Sequence, residues 1–184
     1  MNMLEKRYKA MNVSEQYWWK VVALCFAGWI LMYADRTILG PVMGKIAEEF
    51  GLNNTQLGAV NSIFFLTYAI MQISFGIVGD IIGRRIVIAF GFVLFGITTG
   101  LSGVASGLGI FMIYRALTGI GEGAYYGPQY ALSGEAIPTK SLTLGTAIIN
   151  SGMAFGTSGG YLLSSWKKVI IGVFLSLLWQ YRQL

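Results

Sequence analysis

Four ionisable side chains, Asp35, Arg36, Arg115 and Glu122, stand inside long apolar runs, where ordinary surface charges have no place. On the membrane-insertion scale each costs about 2.5 to 3.5 kcal/mol at the centre of a lipid-facing helix, so four of them unpaired would cost roughly 10 kcal/mol. They must face one another or a polar cavity. Their depths agree: with the first run going outward and the fourth returning inward, Asp35, Arg36 and Arg115 reach a similar level. Within the fourth run the step from Arg115 to Glu122 is two helical turns, and Tyr126 and Gln129 follow on the same face. Asn61, Phe65, Tyr68 and Gln72 form a comparable stripe in the second run. Three segments therefore offer polar faces to one centre, as a water-accessible solute site at mid-membrane requires. The chemistry open to such a site is binding and release. No catalytic nucleophile–base pair is visible, no histidine is present, and Cys25 is the one cysteine, so no metal site is expected. Glycine-rich segments lack the preceding strand and Lys-Ser/Thr ending of a phosphate loop, and no cofactor is expected.

The elements that must position these residues are helices crossing a bilayer. Of 184 residues, 55% are hydrophobic and only 11% charged, against about a quarter charged in a soluble domain. Apolar runs place spans at 21–43, 57–78, 86–106, 108–132 and 141–163, an all-α antiparallel transmembrane bundle. Residues 1–20 read as a cytoplasmic arm with Trp18 and Trp19 as interfacial anchors, and 44–56 as an external loop. The third span carries no charge and is expected to contribute least to solute chemistry. In the fifth, Gly145, Gly152, Gly156 and Gly159 form one small-residue stripe suited to close helix packing. Seven basic residues outside the spans fall inside (Lys6, Arg7, Lys9, Lys20, Arg84, Arg85, Lys140) and three outside (Lys45, Lys167, Lys168), which sets the N-terminus in the cytoplasm. The net charge of +5 thus reports topology and not a nucleic-acid partner. The first run lacks a small-residue cleavage site, so it reads as a span and not as a cleaved leader.

Between the second and third runs lies Gly76-Ile77-Val78-Gly79-Asp80-Ile81-Ile82-Gly83-Arg84-Arg85, read as a ten-residue connector too short to cross a bilayer. Its Gly76, Asp80, Gly83, Arg84 and Arg85 resemble the signature loop between the second and third spans of major facilitator superfamily transporters. Ile81 departs from it, since that position is usually basic. The resemblance covers nearly all of the chain but only the first half of the family's fold, in which two six-span halves flank a central site. Asp35-Arg36, Tyr68, and Arg115 with Glu122 further resemble the organic anion:proton symporter branch, the anion:cation symporters. That resemblance implies that Arg36 and Arg115 bind a substrate carboxylate, Tyr68 supports it, and Asp35 and Glu122 carry the coupling proton. Gln72 and Tyr126, on the same polar stripes, are taken as further substrate contacts. The alternative is that Asp35 with Arg36, and Arg115 with Glu122, are structural ion pairs pinning the bundle.

Residues 164–184 are the anomaly. The charge-free run from Val169 to Tyr181 is about 20 Å long as a helix, against a hydrocarbon core of about 30 Å, so the tail reads as an atypical short sixth span or a truncated end. The implied function is secondary active transport at the plasma membrane, proton-coupled symport of a small organic anion by alternating access. The implied partners are the bilayer, the anion and the proton, together with a missing C-terminal half or a second copy. The alternatives are a non-transporting membrane fragment, or a carrier for a neutral or cationic solute such as a sugar or drug.

Overall fold

The computed structural model describes residues 17–181, with side chains as far as Ser164 apart from that of Glu49; most of the expected N-terminal arm lies outside the described residues. Five helices account for nearly all of them: α1 (Tyr17–Phe50), α2 (Asn54–Ile82), α3 (Arg84–Ser102), α4 (Leu108–Ala136) and α5 (Leu142–Tyr181), with a single 3₁₀ turn at Thr139–Ser141 before α5. No strand occurs among the described residues. Over Tyr17–Glu48, α1 is long and apolar enough to cross a membrane, as are α2 and α3. Leu24, Leu31, Ile70, Ile73, Ile77, Val93 and Ile97 all face outward, a continuous apolar surface that water would not tolerate and lipid does.

The connections are shorter than the apolar runs suggest. α1 continues through Lys45 and Glu48 to Phe50, so the expected external loop at 44–56 shrinks to Gly51–Asn53. Asn53 then starts α2 with a capping box: its side chain accepts from the Gln56 amide at 2.9 Å, and Gln56 Oε1 accepts from the Asn53 amide at 2.9 Å. The ten-residue connector also gives way to helix. Gly76 and Asp80 lie within α2, Arg84 and Arg85 open α3, and the reversal falls on Gly83 alone, at φ +104°. Only glycine adopts that angle without a Cβ clash, which is how one residue suffices. The tail continues α5 without a turn, so residues 164–181 form no separate antiparallel sixth helix.

α4 is the centre of the bundle. α2 and α3 pack along it, α1 touches it, and α1 packs chiefly against α5. Glycines set the spacing on both contacts. A Cβ on Gly119 would stand 2.5 Å from the Phe64 carbonyl oxygen, on Gly123 2.9 Å from that of Tyr68, and on Gly127 3.3 Å from Gly76 Cα. On α5, Gly152, Gly156 and Gly160 meet the carbonyls of Phe26, Ile30 and Ala34 in the same way. The fifth-helix stripe is therefore Gly152, Gly156 and Gly160. Gly159 faces open space and Gly145 packs on Ile137. Hydrogen bonds tie α4 to three neighbours: from α2, Thr67 Oγ1 donates to the Ala116 carbonyl at 3.0 Å; with α3, the Thr98 and Thr118 hydroxyls meet at 2.9 Å; and toward α1, Tyr125 OH donates to the Cys25 carbonyl at 2.7 Å.

These contacts give opposite signs to one substitution. Gly156→Ala puts a methyl 2.6 Å from the Ile30 carbonyl oxygen, a backbone atom that cannot swing aside, and should destabilise the bundle by about 1 to 3 kcal/mol. Gly96→Ala meets nothing within 4 Å and should stabilise α3 by up to about 1 kcal/mol through helix propensity alone. Thermal midpoints of the two variants in detergent should move in opposite directions; parallel shifts would defeat the glycine-contact account.

Candidate functional site

Helix α4 carries Arg115 and Glu122 two turns apart on its buried side, 4% and 1% exposed. α1 brings Asp35 and Arg36 against them from the opposite side, so all four charges converge as their depths require. The pairing crosses between helices. Arg36 Nε donates to Glu122 Oε2 at 2.6 Å and its Nη2 stands equally close to that oxygen. Arg115 Nη1 lies 3.7 Å from Asp35 Oδ2. The sequence neighbours Asp35 and Arg36 thus take different partners, as do Arg115 and Glu122. Glu122 Oε1, Asp35 Oδ2 and Arg115 Nε are buried with no hydrogen bond. Such capacity is rare in a finished interior, where a half-satisfied ionic network is costly.

Aromatic rings from α1 and α2 surround the two guanidiniums. Arg36 Cζ sits over the rings of Tyr68 at 4.5 Å, Tyr33 at 5.2 Å and Phe64 at 5.4 Å; Arg115 Cζ sits over Phe64 at 4.5 Å. Those distances hold the two cations no more than about 10 Å apart, a repulsion of at least ~1.5 kcal/mol at an effective dielectric of 20. Glu122 and Asp35 supply the opposing charges that offset it.

Of the expected substrate contacts, Tyr68 joins the cluster through its ring, and Gln72 Nε2 reaches the Tyr68 hydroxyl at 3.5 Å. Tyr126 lies apart from the charges. Its ring packs on Trp29 and Tyr130, and it is 37% exposed. Gln129, on the same side of α4, is fully buried and accepts from Trp29 Nε1 at 3.2 Å. Two participants escaped the sequence reading. Phe64 is fully buried with both arginines against its ring, whereas Phe65, placed on the polar stripe, is 54% exposed. Thr99 puts a hydroxyl from α3 beside Asp35, so the helix that carries no charge beyond Arg85 is not remote from the site. Phe64 could have been found from the polar pattern itself, since 64, 68 and 72 repeat at intervals of four as well as 61, 65, 68 and 72 do.

A second charge cluster closes one end of the bundle. Arg84 donates from Nε and Nη2 to Asp80 Oδ1 at 3.1 and 2.9 Å, and its Nη1 pairs with Glu135 Oε2 at 2.7 Å. Arg85 donates to the Tyr17 hydroxyl. Asp80, Arg84 and Arg85 therefore tie α2 and α3 to the ends of α4 and α1, and Gly76 lies where the backbone of α2 passes close to Gly127.

The sequence profile of the Major Facilitator Superfamily matches residues 25–181. The chain is 31% identical over 148 residues to the probable anion transporter 1, chloroplastic, of Oryza sativa subsp. japonica, covering 79% of this chain and 28% of that protein. It is 31% identical over 148 residues to the sodium-dependent phosphate transport protein 1, chloroplastic, of Arabidopsis thaliana, covering 79% and 29%. With the 4-hydroxybenzoate transporter PcaK of Acinetobacter baylyi it shares 28% over 151 residues, 82% of this chain and 33% of that one. The chain spans less than a third of the length of the first two. Its backbone matches the crystal structure of a bacterial homologue of the human lysosomal transporter Spinster, inward-facing and unoccupied, with a TM-score of 0.79 at 24% identity over 90% of this chain and 36% of that one. A lipid-facing all-α bundle, a signature turn at Gly83 and a profile match over most of the length converge on one assignment: the chain belongs to the Major Facilitator Superfamily of membrane transporters.

Proposed function

We propose that this chain carries the anion- and proton-handling half of a symporter for a small organic anion. The carrying observation is the crossed pairing of two arginines with two acids inside the bundle, Arg36 with Glu122 and Arg115 with Asp35, in which Arg115 and Glu122 are buried and Asp35 and Arg36 partly buried. An arginine offers a planar fork of N–H donors that a carboxylate fits. When a substrate carboxylate takes Arg36, Glu122 is left buried without its cation, a state that uptake of a proton relieves. Anion and proton then enter together, and they leave together when the acid reclaims its arginine. Asp35 stands in the same relation to Arg115. Tyr68 and Gln72 line the approach to Arg36, and Tyr126, open and aromatic, supports the substrate body further along α4. The anion transporters among the relatives at about 30% identity support the anion class.

Alternating access needs a second wall across the site, supplied by a further half of the transporter or by a second copy of this chain. On this reading the N-terminus lies in the cytoplasm, which the charge asymmetry of the connections supports, and the membrane is the plasma membrane.

The test uses the protein at the length its own cells make it, purified and reconstituted in liposomes. An imposed inward proton gradient should accumulate a labelled small carboxylate at least tenfold over the no-gradient control. Uptake indifferent to the gradient would overturn proton coupling. Selective uptake of a neutral sugar or a cation would overturn the anion assignment and leave the arginines as structural partners of the two acids.

A further inference from the structure

Phe64 touches both arginines of the site and belongs to neither acid. Its ring centroid is 4.5 Å from Arg115 Cζ and 5.4 Å from Arg36 Cζ, it is fully buried, and it lies nearly parallel to Tyr68 at 6.1 Å. α4 presses it in place, because Gly119 lets the Phe64 backbone approach without a side chain between. We propose that Phe64 is the positioning residue of the anion site: its ring holds Arg36 and Arg115 side by side while leaving their N–H edges free for the substrate carboxylate. The inference rests on the anion-binding reading above.

The chemistry of the ring makes this distinct from packing. An aromatic face attracts a guanidinium through its quadrupole yet offers no conventional acceptor, so it occupies no N–H that a carboxylate would need. Asp35 and Glu122 attract the same cations but compete with the substrate for those donors. With only acids as partners, two neighbouring arginines would turn away from each other whenever an acid is neutral. The ring keeps them together through that step. Tyr68 and Tyr33 add to the hold on Arg36, whereas Phe64 is the ring found over Arg115 among the described residues.

Three variants of the protein at its native length test the assignment. Phe64→Leu keeps an apolar side chain of similar size and removes the ring; Phe64→Tyr and Phe64→Trp restore an aromatic face. In proteoliposomes Phe64→Leu should raise KM for a labelled small carboxylate about tenfold with little change in maximal rate, and one of the aromatic variants should return it to within about twofold of the original. A Leu variant with unchanged KM, or a KM that neither aromatic variant recovers, would overturn the role. A second measurement is independent of transport. Thermal midpoints of Phe64→Leu, Arg115→Met and the double variant in detergent form a cycle. Coupling between the two sites supports the ring as a holder of the cation, and additivity overturns it even if no anion is carried. Absence of carboxylate uptake by the unmodified protein, with coupling intact, would count against the transport reading and not against the contact.

Discussion

Replacing Glu122 with glutamine should abolish accumulation driven by a proton gradient while leaving exchange of anion for anion in place. Glutamine keeps the length and shape of the side chain, and its carbonyl can still accept from Arg36, so the fold has little reason to change. It cannot take or lose a proton. In the native site the Glu122 carboxylate, 1% exposed, holds Arg36 by two contacts at 2.6 Å to one oxygen and leaves the other without a partner. Removing that charge frees Arg36 from its competitor, so the anion should bind at least as tightly and leave more slowly. Uptake by the native protein should rise as the outer pH falls and that of Glu122→Gln should lose the dependence. The measurement is labelled-anion uptake in paired liposomes, one set with a pH gradient and one preloaded with unlabelled anion. Unchanged accumulation by the variant would refute the role of Glu122 and pass the coupling to Asp35.

What the sequence made legible follows from the size of each physical signal. Twenty apolar residues in a row force a helix through lipid, so the order of the helices could be read directly. Their ends could not, because Lys45 and Glu48 sit on a helix that simply leaves the hydrocarbon and continues into water, and helical hydrogen bonding has no reason to stop at the boundary. The hinge was visible in its glycines, but only the left-handed backbone at Gly83 distinguishes the residue that turns from Gly76 and Gly79, which turn nothing. Rotation about a helix axis was the weakest signal. Phe64 and Phe65 differ by about 100° of rotation, as do Gly159 and Gly160, and the polar pattern alone fits either neighbour. The close backbone approach of the parallel pairs α1 with α5 and α2 with α4 decides both cases. The four charges were identifiable as a group because isolated charges in lipid are too costly to leave apart. Their partners were not, since Arg36 and Glu122 are 86 residues apart and meet only through the crossing of α1 over α4.

Arg115→Ala should remove anion binding, lowering affinity at least a hundredfold, an effect that a second variant distinguishes from loss of the fold. Arg115 is 4% exposed and faces Asp35 at 3.7 Å; deleting it strands a buried carboxylate, and breaking such a pair costs about 3 to 5 kcal/mol. The single variant should therefore fail in both binding and thermal midpoint, an outcome a structural ion pair would also produce. The double variant Asp35→Asn with Arg115→Gln separates them. With both charges gone nothing is stranded, and two amides of similar shape can bond to each other, so the midpoint should recover most of its loss. Binding should not recover, because the Nε donor that lacks a partner in the bundle has gone with the guanidinium. Arg115→Lys refines the point: it keeps the charge beside Asp35 but replaces the fork with a single ammonium, and should hold stability close to the original while losing about tenfold in affinity. Binding is read by anion-induced protection against thermal unfolding in detergent, which needs no membrane gradient. Normal anion protection in the double variant would make Arg115 a structural partner of Asp35 and move the anion to Arg36 alone.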